Sequence, residues 1–568
     1  MSNDRRGTFV AAGLVFLACG LLTIPGTFAR WWLTQDAVEH LAIANALASG
    51  AGFVDPVLWI YPHEGPIPYP AVALRAPIVS LIFSIPLASG ATLATTITLH
   101  ALLASAIGGS LVFAARRCGA STMAAFAAAI AFVTTPAWIG ISLHVWTEAV
   151  ALFAFIVVLV TLRGAIHSTR GALVCAAATF LASLCRPNLI ALGAAVVVAG
   201  IVEQATEPYR RSRRPLVVYG ATLVLAWLAY RSAGSALFGE TPNSRYSALF
   251  TALTTADVWD YARVRPTLLS FLADRAGVLL ARAYATLADL LRVLLLEPTY
   301  HGLGWIALPG FAVALRPRPR GAHRDDPGRL ERRFAAISGL GLAAIAVFYL
   351  DFDRVRFPVF TALAASLCGF VWLERTFALG FAARFTHSLT RVSGGRFERV
   401  GAGRIGILLV LAVPLLWTLP ESVGRAARWS SLHRTRGTEE RLWPAMDARI
   451  RPLCRSLPPE AVVASVDPWT THLWCGNASL MLPRDIEDEG VLGRFLERER
   501  PGLLIASVDQ LRLREEKTRL RPIAAHGDLV VYAVTVRDGA TRPRTWNAPR
   551  PLACAGRPPG CGDRSPDS

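Results

Sequence analysis

Apolar runs separated by short polar segments occupy most of the chain before Pro420. A helix crosses a bilayer with about 17–25 predominantly apolar residues, and the runs approach or reach this length. The pattern therefore predicts a polytopic α-helical membrane protein with eleven transmembrane helices. They are expected at Thr8–Phe28, Thr92–Ala115, Ala124–Ile139, Val145–Leu162, Ala172–Cys185, Asn188–Val202, Leu216–Tyr230, Leu303–Leu315, Phe334–Leu350, Pro358–Leu373 and Ile405–Leu419.

Two further apolar stretches, Ala71–Ala88 and Ala276–Leu296, raise the count to thirteen if they also cross the membrane. The second contains Arg282, Asp289 and Arg292, so it is predicted to lie at the interface as an amphipathic helix. Placing both stretches at the interface puts the arginine-rich segments on a single face of the membrane.

That face is cytoplasmic by the positive-inside rule. The prediction is a multi-pass protein of the bacterial inner (cytoplasmic) membrane with its N-terminus in the cytoplasm. The periplasmic or extracellular face then receives a long first loop, residues 30–90, and everything after Pro420. The cytoplasmic segments are Arg5-Arg6, Arg116-Arg117, Arg163–Arg170, Arg210–Arg214, Arg316–Arg333 and Glu374–Arg404.

The N-terminus also has features of a signal peptide, because Arg5-Arg6 precedes an apolar stretch and Thr27-Phe28-Ala29 follows it. The stretch is long for a signal peptide and the cleavage site is poor. An uncleaved first helix is therefore predicted.

The sequence changes character after the transmembrane domain, residues 1–420. Short apolar runs at Ala461–Ser465, Leu503–Ser507 and Leu529–Val534 predict strands, with a helix at Ile486–Arg500. These elements predict a small extracytoplasmic α/β domain, residues 421–541, followed by a disordered Pro/Gly/Arg-rich tail, residues 542–568. Two disulfides are allowed there, with the pairing left open, among Cys454, Cys475, Cys554 and Cys561.

Composition supports a membrane location. Of the 568 residues, 53% are hydrophobic and 17% are charged, whereas soluble domains average about 25% charged. A net charge of +18 would suggest nucleic-acid binding in a soluble protein. Because the positive-inside rule accounts for these arginines, no nucleic-acid partner is expected.

Asp36, in the first external loop, is the most informative acid. It follows the aromatic pair Trp31-Trp32 and precedes a helical run of small residues, Leu41–Gly52. A carboxylate at the membrane surface is costly unless it is solvated or functional. Asp36 therefore predicts an active site at the lipid–water boundary, with a helix N-cap or a solvated loop acid as the alternative.

Further polar side chains are expected on the same face. Glu148 begins a span, where the helix dipole alone would also favour an acid. Arginines bind phosphate through two parallel hydrogen bonds, and a carboxylate serves as a general base. The candidate phosphate-binding residues are Arg75, Arg186, Arg354 and Arg356, for which a helix end or a headgroup-anchored turn is the alternative. Candidate substrate or metal contacts are Glu39, His40, His63, Glu64 and His144.

The order of these features resembles the GT-C superfamily of membrane glycosyltransferases, especially the aminoarabinose (lipid A) transferases and protein O-mannosyltransferases. The resemblance covers residues 8–375. Asp36 matches the catalytic acid of the first loop, together with the pattern that follows it: Ala44, Leu47, Gly50 and Gly52. The other matching segments are Arg75-Ala76-Pro77, Trp146-Thr147-Glu148, Cys185-Arg186-Pro187 and Arg354-Val355-Arg356-Phe357-Pro358.

Three positions depart from the family pattern. Many relatives carry two adjacent acids where Asp36 is followed by Ala37. Arg75 stands where a lysine is common, and Glu148 replaces an aspartate. These departures leave the sugar and the acceptor open.

The resemblance implies an inverting glycosyltransferase that moves a hexosyl or pentosyl group from a polyprenyl-phosphate donor to a lipid, glycan or protein acceptor on the outer membrane face. Asp36 would be the base, the arginines would hold the phosphate, and Glu148 would orient the acceptor or a divalent metal ion. No cofactor is assigned, and a divalent metal is left open. The alternatives are a transporter or lipid flippase, which would need ionisable residues inside the spans, and a nonenzymatic envelope-assembly protein.

Overall fold

The structure is a computed structural model. It describes residues 3–28, 34–59, 68–206, 212–244, 268–300, 303–316, 328–346, 358–389, 448–483, 490–507 and 520–535, with Asp326, Arg356, Ile486, Thr545 and Leu552. The chain divides into two compact units. Residues 1–31, 98–229 and 277–434 delimit the first unit, and residues 32–97, 230–276 and 435–568 delimit the second.

Helices dominate the described residues. Their bounds are α1 Asn3–Phe28, α2 Gln35–Ala48, α3 Pro77–Ala88, α4 Leu93–Arg117, α5 Thr122–Val133, α6 Pro136–Leu143, α7 Thr147–His167, α8 Thr169–Cys185, α9 Ala191–Thr206, α10 Arg214–Phe238, α11 Leu268–Leu295, α12 Gly304–Leu315, α13 Arg329–Ala346, α14 Val359–Leu389, α15 Pro468–Cys475 and α16 Val491–Glu499. Within the described residues, each predicted apolar run before residue 375 coincides with helical structure over most of its length.

Six of the described helices are long and apolar enough to cross a membrane, and a bent pair raises the number to seven. The predicted count of eleven is therefore not reached within the described residues. α8 and α12 are apolar but shorter than eighteen residues. The first turns of α13 carry several charges, and Ile405–Leu419 lies outside the described residues. The six are Asp4–Pro25, Leu93–Arg117, Thr147–His167, Pro187–Ala205, Arg214–Phe238 and Val359–Thr376.

The bent pair is the predicted span Ala124–Ile139, which is broken between α5 and α6 by 66°. Pro136 has no N–H to donate, and a proline disfavours helical geometry at the residue before it. The Thr135 hydroxyl accepts a hydrogen bond from the backbone N–H of Trp138 at 3.1 Å and so caps the new helix. A proline preceded by a capping threonine is thus enough to divide this span.

Within the first unit, α7 and α8 form a tight antiparallel hairpin. A Cβ added at Gly164 would lie 2.8 Å from the Cα of Gly171, so only glycine allows this approach. Small residues at helix contacts are the common device for close packing in membranes, where lipid tails remove the hydrophobic driving force. The hairpin places the start of α7 near the end of α8.

The second unit contains short strands. They are β1 Val54–Asp55, β2 Val57–Leu58, β3 Tyr69–Pro70, β4 Val463–Ser465, β5 Ser479–Met481, β6 Leu503–Ser507, β7 Leu520–His526 and β8 Leu529–Val534. β1 pairs antiparallel with β3, which sets Asp55 opposite Tyr69. The other six form one sheet in the order β2-β5-β4-β6-β8-β7, parallel from β2 to β6 and antiparallel after it.

The strands and the helix predicted for the C-terminal region are present as β4, β6, β8 and α16. The sheet, however, also includes β2 from the first loop, which pairs with β5 through Val57 and Ser479. Leu58 is buried with Leu480 and Leu504 in the same core. The first loop therefore contributes a strand to this sheet. The limits of the C-terminal domain, residues 421 and 541, remain a prediction.

A disulfide joins Cys454 to Cys475 at the end of α15. It fulfils one of the pairings that the sequence left open, while Cys554 and Cys561 lie outside the described residues. The five cysteines in and beside the apolar runs are free and buried, as small core residues are.

Candidate active site

The first group of functional side chains lies in the second unit, and we call it the acid cluster: Asp36, Glu39, Asp55 and Arg75. The Thr34 hydroxyl accepts a hydrogen bond from the backbone N–H of Ala37 at 3.4 Å and caps α2. Asp36 and Glu39 are three residues apart and therefore share one face of this helix. The Glu39 side chain is fully buried, whereas Asp36 keeps 27% of its side chain exposed.

Arg75 holds these two acids together. It lies between the 3-10 turn Ala71–Ala73 and α3, which begins at Pro77. The Arg75 Nε donates to Glu39 Oε1 at 2.7 Å. Its Nη2 contacts Glu39 Oε2 and also reaches Asp36 Oδ1 at 3.4 Å. Burial acts to lower the pKa of Arg75, but the charges of Glu39 and Asp36 outweigh it and raise the pKa well above the usual value.

Asp55 completes the acid cluster from the β1–β3 ribbon. Its Oδ1 accepts from the Val57 N–H at 3.0 Å, and its Oδ2 accepts from the Tyr69 hydroxyl at 2.8 Å. Burial, reinforced by the charge of Glu39, raises the pKa of Asp55 well above its ordinary value. Asp36 and Glu39 face a single guanidinium, that of Arg75, so these side chains together are net negative whichever form Asp55 takes.

Trp59 also belongs to this site. Its Nε1 donates to Glu39 Oε2 at 2.9 Å, and the Arg75 guanidinium lies 5.9 Å from its ring centroid. Sequence reasoning identified neither Trp59 nor Asp55 nor Tyr69 as site residues. The sequence feature that could have indicated these three residues is their position in the first loop, next to or within its proline-rich stretch.

The second group lies in the first unit, and we call it the arginine cluster: Glu148, Arg186 and Arg356. Glu148 is in the first turn of α7 and is fully buried. Arg356, just before α14, donates from Nε to Glu148 Oε1 at 2.8 Å and from Nη2 to Oε2 at 3.2 Å. Arg186, at the end of α8, contacts Glu148 Oε1 through Nη1. Two guanidiniums thus face one carboxylate, and the cluster is net positive.

Aromatic rings line the arginine cluster. The Arg356 guanidinium lies 4.6 Å from the centroid of the Trp146 ring, a cation–π distance. The His144 ring lies 4.9 Å from the same tryptophan, and both residues are buried. His144, a predicted substrate contact, therefore packs at the edge of this cluster.

The predicted site residues fall into these two groups. Asp36, Glu39 and Arg75 are together in the acid cluster, and His40 is buried on the same helix. The predicted sharing of one phosphate by Arg75 and Arg356 concerns residues of different units and stays a prediction. The predicted residues outside the described part of the chain are His63, Glu64 and Arg354.

The acids and histidines of the two clusters were the expected ligands of a divalent metal. Among the residues that the structure describes, no three side chains of His, Cys, Asp or Glu converge as a metal site requires. In the acid cluster, Glu39 already has both oxygens bound by Arg75 and Trp59. As placed among the described residues, these side chains do not fit a metal ion.

No protein-family model matches the chain. No curated protein matches it either. Among solved structures, ArnT from Cupriavidus metallidurans bound to undecaprenyl phosphate is similar, with a TM-score of 0.52 and 16% identity over 95% of this chain and 100% of that chain. The oligosaccharyltransferase from Archaeoglobus fulgidus has a TM-score of 0.52 and 14% identity over 88% of this chain and 70% of that chain.

At these identities the similarity concerns the fold. The chain shares its fold with ArnT and with the archaeal oligosaccharyltransferase, in agreement with the fold that the sequence resemblance predicted. Its apolar helices also make it a multi-pass membrane protein.

Proposed function

We propose that the protein is an inverting glycosyltransferase. It moves a sugar from a polyprenyl-phosphate donor to a lipid, glycan or protein acceptor on the outer face of the cytoplasmic membrane. The observation that carries the proposal is Asp36, a partly exposed carboxylate held by Arg75 inside a buried, net negative cluster. A general base needs this combination of access and fixed orientation.

Asp36 accepts the proton of the acceptor hydroxyl or amine as that group attacks C1 of the sugar. The bond between C1 and the phosphate oxygen breaks, and its electron pair leaves on the phosphate. Attack opposite the leaving group inverts the configuration at C1. Arg75 positions Asp36 in this scheme, because its guanidinium is already bound by two carboxylates. The phosphate role that the resemblance implied for Arg75 stays a prediction.

The arginine cluster suits the leaving phosphate. Two guanidiniums meet at Glu148, and together they would stabilise a phosphate that gains charge as the bond breaks. Arginine forks also match phosphate geometry better than lysine does. In this proposal Glu148 positions Arg186 and Arg356, and it replaces the sequence prediction of an acceptor-orienting or metal-binding acid. ArnT, solved with undecaprenyl phosphate bound, supports a polyprenyl-phosphate donor by similarity of fold.

The Cys454–Cys475 disulfide supports an extracytoplasmic position for the C-terminal region, because disulfides persist in oxidising compartments. The arginine distribution supports the same sidedness. Cysteine probes at the exposed positions Arg521 and Arg170 test it, in a background lacking Cys554 and Cys561. A membrane-impermeant thiol reagent should label the Arg521 probe in intact cells and should leave the Arg170 probe unlabelled. Labelling of both, or of Arg170 alone, contradicts the topology.

The transferase is tested by mass spectrometry of envelope lipids and glycans from a strain lacking the protein. The strain is complemented with the parent, with Asp36→Asn, or with Asp528→Asn as a matched control on the surface. We expect the parent and Asp528→Asn to restore a sugar modification. Asp36→Asn should reduce transfer by about 10²–10⁴-fold at equal abundance. Near-normal transfer by Asp36→Asn rejects the assignment of the base. Movement of a lipid across vesicles by purified protein, without any transfer, rejects the enzyme.

A further inference from the structure

Trp59 connects the acid cluster to the C-terminal sheet, and both lie in the second unit. Its indole N–H donates to Glu39 Oε2 at 2.9 Å on one side. On the other side, its ring packs against that of Trp469, with 5.9 Å between the centroids. Glu39 in turn accepts from Arg75, which reaches Asp36. A continuous set of contacts therefore joins a C-terminal tryptophan to the proposed base.

The backbone of Trp59 is fixed by the sheet. Trp59 directly follows β2, which pairs with β5 as an added parallel strand. Leu58 is buried in the core of this sheet, and Trp59 packs against the same core. A two-residue strand makes few hydrogen bonds of its own, so its position depends on the C-terminal strands beside it.

Trp469 is held as firmly. It is 2% exposed and lies in the first turn of α15. Asp467 caps this helix, because its Oδ1 accepts from the Thr470 N–H at 3.0 Å and its Oδ2 from the Thr470 hydroxyl at 2.7 Å. The helix packs against α2 and ends at Cys475, whose disulfide ties it to Cys454. A capped and cross-linked helix presents the ring of Trp469 in one orientation.

We propose that Trp59 and Trp469 are positioning residues for the transfer reaction, and that the C-terminal sheet sets the orientation of Asp36 through them. This inference rests on the proposed function. Glu39 accepts bonds from Arg75 at both oxygens, and the Trp59 donor adds a third direction that fixes the plane of its carboxylate. Arg75 then has one position from which to hold Asp36. No C-terminal residue has to touch the substrate for this effect.

The test compares tryptophan substitutions in the full-length protein, with initial rates measured over donor and acceptor concentrations. Trp59→Phe keeps the ring and removes the indole donor, and we expect kcat to fall about tenfold with the donor KM unchanged. Trp469→Ala should lower kcat by a similar factor. Trp469→Phe, which keeps an aromatic face, should give an intermediate kcat. A change in kcat without a change in KM separates lost positioning from lost binding.

The matched control is Trp474→Ala, on the same helix α15. Trp474 packs with Arg451, 4.8 Å from its ring centroid, and is not part of the contacts described above. If α15 matters only for folding, Trp469→Ala and Trp474→Ala lower the amount of folded protein and leave kcat per folded molecule equal. Equal kcat values for these two variants, or a parental kcat for Trp59→Phe, overturn the inference.

The same experiment keeps the two proposals apart. An inactive parent, or an Asp36→Asn variant as active as the parent, rejects the proposed function whatever the tryptophan variants do. An active parent with an inactive Asp36→Asn, combined with equal kcat for Trp469→Ala and Trp474→Ala, rejects the positioning role alone.

Discussion

The acid cluster and the arginine cluster are built on the same plan but have opposite net charge. Each contains a fully buried glutamate that accepts from Nε and Nη2 of one arginine, and each arginine lies over a tryptophan ring. The acid cluster adds Asp36, whereas the arginine cluster adds Arg186. Each cluster thus contains one glutamate–arginine ion pair and one added charge. Asp36 makes the acid cluster net negative, and Arg186 makes the arginine cluster net positive.

The difference indicates how a membrane enzyme separates two chemical tasks. Negative charge nearby increases the proton affinity of a carboxylate base, and partial exposure lets the acceptor reach it. A leaving phosphate is stabilised by a net positive site, and in a low-dielectric setting each uncompensated charge has a larger effect than in water. In both clusters the buried glutamate fixes an arginine, and the added side chain, Asp36 or Arg186, sets the sign of the net charge.

The largest expected effect concerns the two buried glutamates. Glu148→Ala leaves two guanidiniums without their shared carboxylate, whereas Glu39→Ala leaves Arg75 with Asp36 as a partner. Removing one partner of a buried pair costs about 3–5 kcal/mol. We expect Glu148→Ala to lower the thermal unfolding midpoint in detergent more than Glu39→Ala does. Equal midpoints, or the reverse order, would show that the added side chain, Asp36 or Arg186, does not decide how much each glutamate contributes to stability.

The next effect separates donor binding from positioning. Arg356→Lys keeps the charge and loses the fork, so we expect the donor KM to rise about tenfold, and more in Arg356→Ala, with acceptor KM little changed. Arg75→Lys should instead lower kcat, because it disturbs Asp36. Arg449→Lys, on the surface beside Asp528, is the control. If Arg75→Lys raises the donor KM as Arg356→Lys does, Arg75 binds phosphate as the sequence resemblance implied.

The smallest effect concerns the proton on Asp55. Burial raises the pKa of Asp55, so the folded state binds this proton more tightly than the unfolded chain does. The proton on Asp55 stabilises the folded state fully when the pH is below the pKa of Asp55 in the unfolded chain, about 4. This contribution is lost as the pH rises toward the higher pKa of the folded state. Asp55→Asn resembles the neutral carboxyl and does not titrate. From pH 5 to pH 8 we expect the parent's melting temperature to fall relative to that of Asp55→Asn.

Asp528→Asn controls for general effects of losing a carboxylate, since Asp528 is 60% exposed. Its melting temperature should follow that of the parent over the same pH range. A difference between the parent and Asp55→Asn that does not vary with pH would show that Asp55 is ionised in the folded protein, and that the acid cluster is more negative than its geometry indicates.

Much of the fold could be read from local patterns. Long apolar runs predicted the helices, and short apolar runs predicted β6 and β8, because the run of apolar side chains is a local property. The division at Pro136 and the strand β2 were missed for different reasons. Thr135-Pro136 lay inside an otherwise continuous apolar run, whereas a two-residue strand has no periodicity to detect. Its existence depends on β5, more than four hundred residues later in the chain.

The kinds of chemical group that are present follow from the sequence: an acid after the first helix, arginines beside prolines, and a glutamate at the start of a span. The pairing of these charges follows from the tertiary structure. Glu39 and Arg75 are 36 residues apart, and Glu148 and Arg356 are 208 apart. A buried charge requires a partner close enough for a hydrogen bond. Which partner is that close depends on the path of the backbone through the folded chain, and no local sequence pattern encodes that path.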